Sequence, residues 1–441
     1  MTSSLLHGLT PKMRPISQRR SAIICALDIG TTKIVCLIAR LRPRAPQEVL
    51  RRRSHAVEVL GFGHVRAGGI KAGTVVDLNE AEHAVRHTVD AAERMAGVHI
   101  ESVVMSMSAG RPASELFTAT VHTNGSNVED HDIERVLAAG SRHSVRDGRA
   151  VLHSLPIGYA VDNTRFIRDP RGMLGRRLGV DMHVVTTDAA VARNLMLAVE
   201  RCHLAVEAMV ATPYVAALAA LADDEADLGA AVVDLGGGTT TMAVFSQGRC
   251  IHIDGFALGG GHITMDIARG LTTRIADAER IKTLHGSAIA GASDDRDMIS
   301  VPAVTEDGRE PPQVISRRIL LRIVSPRVEE ILEMVRDRLA ASPFADEVRG
   351  QIVLTGGSSQ LTGLPELASR ILARQVRIGR PLGISGLADV AKGPAFAAVA
   401  GLLVYPQVAY LEHFQPRRPR PLMTGTDGYL ARVGRWIRES F

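Results

Sequence analysis

The sequence predicts an α/β fold of two lobes, and three observations carry that expectation. At 441 residues the chain is too long for one ordinary hydrophobic core. Strand-like and helix-like segments alternate along most of it. One local pattern, an apolar strand ending in Asp followed by a glycine turn and a second strand, occurs twice about half the body apart.

Composition narrows the function classes. Hydrophobic residues make up 46% and charged residues 22%, as in a folded globular chain. Aromatics amount to only 3%, which leaves little for stacking on nucleic-acid bases. The net charge is +5, but it is local. Lys12, Arg14, Arg19 and Arg20 lie in residues 1–20, and six Arg face only Asp427 and Glu439 in 414–441. The body between is therefore mildly acidic, a pattern of surface-seeking ends and not of a nucleic-acid groove. The four cysteines (Cys25, Cys36, Cys202, Cys250) form no CxxC pair and fit core packing in a reducing compartment. The 16 His show no ligand spacing of the HExxH kind. No run of 18 apolar residues suggests a transmembrane helix.

The elements follow in order. Residues 1–20, polar and with two prolines, read as a disordered extension. Residues 22–28 and 34–40 read as strands joined by the turn Ile29–Lys33, and 40–53 as an Arg/Pro-rich loop without assigned function. Strand sequence returns at Ala56–Val65. Leu78–Met95 has helical apolar spacing with Asp77 as its cap. Strands at 100–108, 114–122, 149–155 and 157–162, with a helix near 129–141, make 80–170 look like a small α/β unit of its own. Asp181–Thr187 is a strand and Asp188–Arg201 a helix. Strands at 205–210, 230–235, 240–246 and 250–258 enclose a helix near 213–222. Gly259-Gly260-Gly261 opens a helix, and Asp277–His285 is another. Residues 286–313 read as loop, Pro326–Leu339 as a long helix, Ile352–Leu354 as a strand and Pro394–Leu403 as a helix.

The repeated pattern carries the chemistry. Its first copy is Ala26-Leu27-Asp28-Ile29-Gly30-Thr31-Thr32-Lys33 and its second Val232-Val233-Asp234-Leu235-Gly236-Gly237-Gly238-Thr239. Glycine admits an anion close to the backbone, and successive N–H groups converge on it. Thr hydroxyls and Lys33 add donors. An Asp at each strand end would repel phosphate unless Mg²⁺ and its water shell lie between. Two such turns facing each other would grip a polyphosphate from both sides, whereas one alone would be an ordinary β-turn. A third glycine turn, Thr355-Gly356-Gly357-Ser358, follows a strand and suits the adenosine end. Glu279 and Lys282, three apart on one helix, could face the ribose or form an ordinary surface pair.

These residues resemble the actin-like ATPase superfamily. The resemblance covers roughly 21–410, and Pro213–Leu218 and Gly393–Ala398 look like its two connecting helices. Within it, Val185-Thr186-Thr187-Asp188, Val199-Glu200-Arg201-Cys202, Ala278-Glu279-Arg280-Ile281-Lys282 and Val314-Ile315-Ser316-Arg317-Arg318 look like the FtsA family of bacterial cell-division proteins. That resemblance implies an actin-like two-lobed fold with duplicated phosphate-binding hairpins and an inserted subdomain 1C. It implies subdomain 1A at 21–79, 171–206 and 394–413, 1C at 80–170, 2A at 207–258 and 330–393, and 2B at 259–329. It also implies ATP with Mg²⁺, held by Asp28, Gly30, Thr31, Thr32 and Lys33 on one side. Asp234, Gly236, Gly237, Gly238 and Thr239 would serve the other side, with Gly356, Gly357 and Ser358 on adenosine and Glu279 and Lys282 on ribose. Asp28 and Asp234 would hold the metal through water. The expected partners are the C-terminal peptide of FtsZ, later divisome proteins and further copies of the chain, at the cytoplasmic face of the inner membrane at the division site. Arg317 and Arg318 are candidates for the peptide's carboxylates, since Arg forks match them. A pilus-assembly platform protein or a small-molecule kinase on the same fold are the alternatives. One departure stands out: where the heat-shock chaperones carry a Glu before the connecting-helix proline, this chain has Thr212, so slow hydrolysis is expected.

The end of the chain reads as a linker, 414–426, and an amphipathic helix, 427–441. Leu430, Val433, Ile437 and Phe441 are spaced by three or four and share one face. Trp436, the chain's single Trp, flanks that stripe, while Arg432, Arg435 and Arg438 lie off it. This suits an anionic membrane surface. Burial would contribute about 1.5–3 kcal/mol per large apolar side chain, and each Arg about 1 kcal/mol near anionic lipid. One tail would bind reversibly, and many on one filament far more strongly.

Overall fold

The computed structural model describes residues 10–17, 19–45, 53–123, 127–142, 145–303, 311–348 and 350–412. The linker and the amphipathic segment, with Leu430, Arg432, Val433, Arg435, Trp436, Ile437, Arg438 and Phe441, lie outside them.

Two sheets, one in each lobe, repeat one topology. In the first lobe the strand order is Ala205–Ala211, Ser102–Met107, Ala22–Ile29, Lys33–Pro43, His55–Arg66 and Ile384–Ser385. In the second it is Gln375–Ile378, Gln351–Thr355, Ala230–Leu235, Thr240–Ser246 and Arg249–Phe256. Each Asp-bearing strand lies inside its sheet. Ala22–Ile29 runs parallel to Ser102–Met107 and antiparallel to Lys33–Pro43, and Ala230–Leu235 is parallel to Gln351–Thr355 and antiparallel to Thr240–Ser246. These strands are buried almost throughout, so they read as continuous apolar runs and not as alternating ones.

Two apolar helices join the lobes. Thr212–Ala220 is buried along its whole length, as is Ala397–Val404. They approach so closely that a Cβ on Gly401 would stand 1.7 Å from the Val215 carbonyl oxygen, which leaves glycine as the residue that fits.

The inserted unit is a four-stranded antiparallel sheet ordered Ala113–His122, Arg177–Asp188, Arg149–Val161 and Thr164–Ile167, with helix Asp130–Gly140 on it. Val136, Val151, Leu178, Val180 and Met182 form its core. Its limits differ from the expected 80–170. Helix Leu78–Ala96 packs its Ala81, Val85, Val89 and Ala92 face on the first-lobe sheet, and Ser102–Met107 is a strand of that sheet. Arg177–Asp188, expected outside, is an inner strand of the unit, because its apolar alternation finds partners on both sides.

Other expectations change as well. Residues 1–20 are expected to be disordered, yet the described 10–17 pack on the body: the Thr10 N–H and hydroxyl both donate to the Val151 carbonyl, Met13 is buried, and Lys12 reaches the Glu412 carboxylate at 2.6 Å. Ala205–Ala211 and Ile384–Ser385 belong to the first-lobe sheet, so both crossings between lobes fall away from the expected 206/207 and 393/394 boundaries. The loop at 286–313 contains strand Met298–Val301, paired with Gln313–Ser316. The long helix spans Arg317–Ala341 and passes through Pro326. Proline removes one hydrogen bond there, and burial of Leu320, Leu321, Val324, Val328 and Leu332 holds the helix across the gap.

Candidate functional site

The two repeated turns close with the same hydrogen bond. The Gly30 N–H donates to the Lys33 carbonyl at 3.0 Å, and the Gly236 N–H to the Thr239 carbonyl at 2.9 Å. A Cβ at either glycine would sit 2.8 or 2.9 Å from that same carbonyl oxygen. The sequence repeat is thus a repeat in backbone geometry.

The turns meet face to face at the mouth of a cleft of about 400 Å³. Fourteen of the fifteen residues expected around the nucleotide line it: Asp28, Gly30, Thr31, Thr32, Lys33, Asp234, Gly236, Gly237, Thr239, Glu279, Lys282, Gly356, Gly357 and Ser358. Gly238 does not. It touches the opposite turn, where a Cβ would stand 2.5 Å from Thr31 Oγ1, and Gly237 meets Thr32 in the same way. The Gly-Gly run of the second hairpin therefore serves contact between lobes as well as access to an anion.

Burial sets the charges. Burial raises the Asp28 pKa, opposed by a hydrogen bond from the Ser106 hydroxyl and by Lys33. Asp234 is pushed up to about 7, first by burial and then by the charge of Asp28, with Lys33 opposing. The Lys33 pKa is lowered by burial despite both carboxylates. Its ammonium donates to the Ala395 carbonyl at 2.6 Å and lies 3.6 Å from the Phe396 ring centroid. Two buried carboxylates whose charges raise each other's cost, with one shared cation, form a place where a divalent ion would be stabilised. Among the described residues no cluster of three or more His, Cys, Asp or Glu could hold a metal. Two carboxylates could serve an ion only if it took its other oxygens from elsewhere, such as phosphate and water.

The third turn completes the floor. Gly356 has φ +85°, and a Cβ there would stand 2.5 Å from Asp234 Oδ1. Its N–H donates to the Pro394 carbonyl at 3.1 Å, and the Ser358 hydroxyl donates to the Gly236 carbonyl at 3.0 Å. Glu279 and Lys282 pair at 2.6 Å, and Lys282 also donates to Thr264 Oγ1 and the Gly260 carbonyl. They are a cleft pair held by the neighbouring helix.

Several lining residues escaped the sequence reading of the site, among them Ser108, Gly260, Gln360 and Ala395, as did Ser106, whose hydroxyl donates to the lining Asp28. Ser106 lies on the strand parallel to the Asp28 strand, and sequence spacing alone does not pair them. Thr212 lines the cleft with its Oγ1 buried and without a hydrogen-bond partner. Arg317 is not a solvent-facing fork: it donates to the nearly fully buried Asp294 at 2.9 Å and to the His285 carbonyl at 2.9 Å. Arg318, beside it, pairs with the exposed Asp295.

Comparison with known proteins agrees with this architecture. Residues 231–401 match the family model described as cell division protein FtsA, and 109–186 match the SHS2 domain inserted in FtsA. The second range covers nearly all of the four-stranded unit, Ala113–Asp188. The chain is 54% identical to the cell division protein FtsA of Agrobacterium fabrum over 437 residues, covering 99% of this chain and 98% of that one. It is 52% identical to that of Rhizobium meliloti over 98% of both. With that of Escherichia coli it shares 31% over 95% of this chain and 98% of the other. Among solved structures, a PilM-PilN type IV pilus biogenesis complex aligns with TM-score 0.59 at 16% identity, covering 87% of this chain and 98% of that one. MreB5 of Spiroplasma citri bound to ADP aligns at 0.52 and 14% identity, covering 89% and 98%. The fold is that of the actin-like proteins, and the chain belongs to the FtsA family of cell-division proteins.

Proposed function

We propose that the chain binds ATP with Mg²⁺ in the cleft between its lobes and links FtsZ filaments to an anionic membrane surface through residues 427–441. The observation that carries the nucleotide reading is the pair of equivalent hairpins meeting at one cleft, each with a buried Asp at its base. The ADP bound to a fold neighbour is in keeping with it. The backbone N–H groups of the two turns would hold phosphate, Lys33 would balance charge, and Asp28 and Asp234 would orient the water around Mg²⁺. The ion would neutralise phosphate charge.

The linking role rests on family membership and on the spacing of Leu430, Val433, Ile437 and Phe441. Self-association fits a tail whose single-copy binding is weak. For the FtsZ peptide, Arg318 is the more accessible member of the expected pair. A peptide carboxylate on Arg317 would first have to displace Asp294. The later divisome proteins follow from the same family role.

Vesicle flotation tests the proposal. FtsZ filaments, ATP and anionic vesicles are mixed with the full chain or with the chain ended after Thr426. FtsZ floating only with the full chain is the expected result. FtsZ left in the pellet with the full chain would overturn the linking role, and flotation with both chains would overturn the role of 427–441.

A further inference from the structure

We propose that His83 and His87 form a binding site for one divalent transition ion of borderline softness, such as Zn²⁺, Ni²⁺ or Cu²⁺. Both histidines lie on the exposed side of helix Leu78–Ala96, one turn apart. Their Nε2 atoms converge to 3.1 Å, with ring centroids 4.3 Å apart and nearly perpendicular. Two imidazoles bound to one ion at about 2.0–2.1 Å have their nitrogens about 2.9 Å apart at a right angle and about 3.3 Å apart in a tetrahedron. The observed separation falls between these values. Without a metal, one N–H···N bond would have to hold the two rings in the same place.

The helix holds the pair in place. Its buried face (Ala81, Ala84, Val85, Val89, Ala92) packs on the first-lobe sheet, and Asp77 accepts the N–H groups of Asn79 and Glu80. The sheet meets it with glycine: a Cβ on Gly63 would stand 1.9 Å from the Thr88 carbonyl oxygen, and one on Gly61 2.2 Å from that of Ala92. The helix therefore lies close against the sheet, and two ligands on a packed element lose little freedom on binding. The local charge also permits a cation. Arg86 lies between the two histidines in sequence, but its guanidinium is tied to Glu82 and to the Arg201 carbonyl. Asp90, three residues beyond His87, is exposed. No third ligand of the His, Cys, Asp or Glu type completes a cluster among the described residues. The ion would keep open positions filled by water, which distinguishes it from a closed structural zinc site.

The test uses the full chain, stripped with chelator and without nucleotide. Zn²⁺ and Ni²⁺ are titrated by calorimetry into the wild type, His83→Ala, His87→Ala and the double variant. One equivalent with micromolar affinity is expected in the wild type. Each single variant should weaken that equivalent at least tenfold, and the double variant should lose it. Cu²⁺ electron paramagnetic resonance should show coupling to two nitrogens in the wild type and not in the double variant. An unchanged stoichiometry and affinity in the double variant would overturn the site, as would a wild type that binds neither ion. The substitutions are on an exposed face, so circular dichroism should be unchanged.

Discussion

The Lys12 ammonium lies 2.6 Å from a carboxylate oxygen of Glu412, 400 residues away, and the Glu412 side chain is 3% exposed. His153, fully buried, holds the other carboxylate oxygen at 2.8 Å and accepts the Ala211 N–H at 2.9 Å. These neighbours keep Glu412 well below the usual carboxylate range although burial opposes them. Removing Lys12 would leave a buried anion whose remaining partners, His153, the Tyr405 hydroxyl and the Ser154 N–H, are neutral. Losing one member of a buried pair costs about 3–5 kcal/mol, and less where that member is partly exposed, so about 1–3 kcal/mol is expected here. Lys12→Ala should therefore lower the calorimetric unfolding midpoint by several degrees, and Lys12→Arg by much less. Equal midpoints for wild type and Lys12→Ala would show that the segment before the first strand does not stabilise the body.

The repeat was legible because its chemistry is local: Asp, Gly and Thr at fixed offsets produce the same turn twice. Asp28 and Asp234 were found for that reason. Ser106 was not, since its contact with Asp28 arises from parallel pairing of strands 78 residues apart. The misplaced edges of the inserted unit have a similar cause. Leu78–Ala96 and Ser102–Met107 show their period in the sequence but not the sheet they pack on. Lys12 was lost to composition: a short polar segment with prolines reads as disorder even when one buried carboxylate holds it.

Asp234 gives a prediction of opposite sign to an ordinary ion pair. Its native pKa of about 7 lies above the unfolded value, so the folded state holds the proton more tightly. The resulting stability is complete below about pH 4 and is lost as pH rises towards 7. Asp234→Asn should therefore raise the unfolding midpoint of the nucleotide-free chain at pH 8, by on the order of 1–3 kcal/mol in stability. The same variant should weaken Mg²⁺-dependent ATP binding at least tenfold. A variant less stable than wild type at pH 8 would show that the carboxylate is already compensated without an ion.

The inserted unit is fixed to the second lobe by a histidine that burial keeps neutral. His183 Nδ1 bonds the Cys250 carbonyl at 2.9 Å, and its Nε2 lies 2.8 Å from the Ser114 hydroxyl, which accepts the Ile253 N–H at 2.7 Å. Its pKa is pushed down to about 3, chiefly by burial. The unfolded chain takes up this proton near pH 6.5 and the native chain only near 3, so stability falls as pH drops between the two. The slope is about 1.4 kcal/mol per pH unit for one such group. His183→Gln, which keeps a donor, should flatten the decline of the unfolding midpoint between pH 6.5 and 5. A slope identical to wild type would place the acid sensitivity elsewhere, with His153 the next candidate.

Thr212 bears on the slow turnover expected of the proposed nucleotide cleft. Its hydroxyl is buried, without a hydrogen-bond partner, and borders the cleft together with Asp28, Lys33 and Asp234. A water bound there would satisfy the hydroxyl. Threonine can orient such a water but cannot take its proton at neutral pH. A carboxylate at the same position could, and general-base catalysis contributes about 10²–10⁴-fold. Thr212→Glu should therefore raise the single-turnover rate of ATP hydrolysis at least tenfold, with ATP affinity changed less than tenfold. Thr212→Val removes the hydroxyl at similar volume and should lower whatever slow rate the wild type has. If Thr212→Glu binds ATP and its rate does not rise, the hydroxyl does not face the attacking water, and the residue at 212 does not set the rate expected of the cleft.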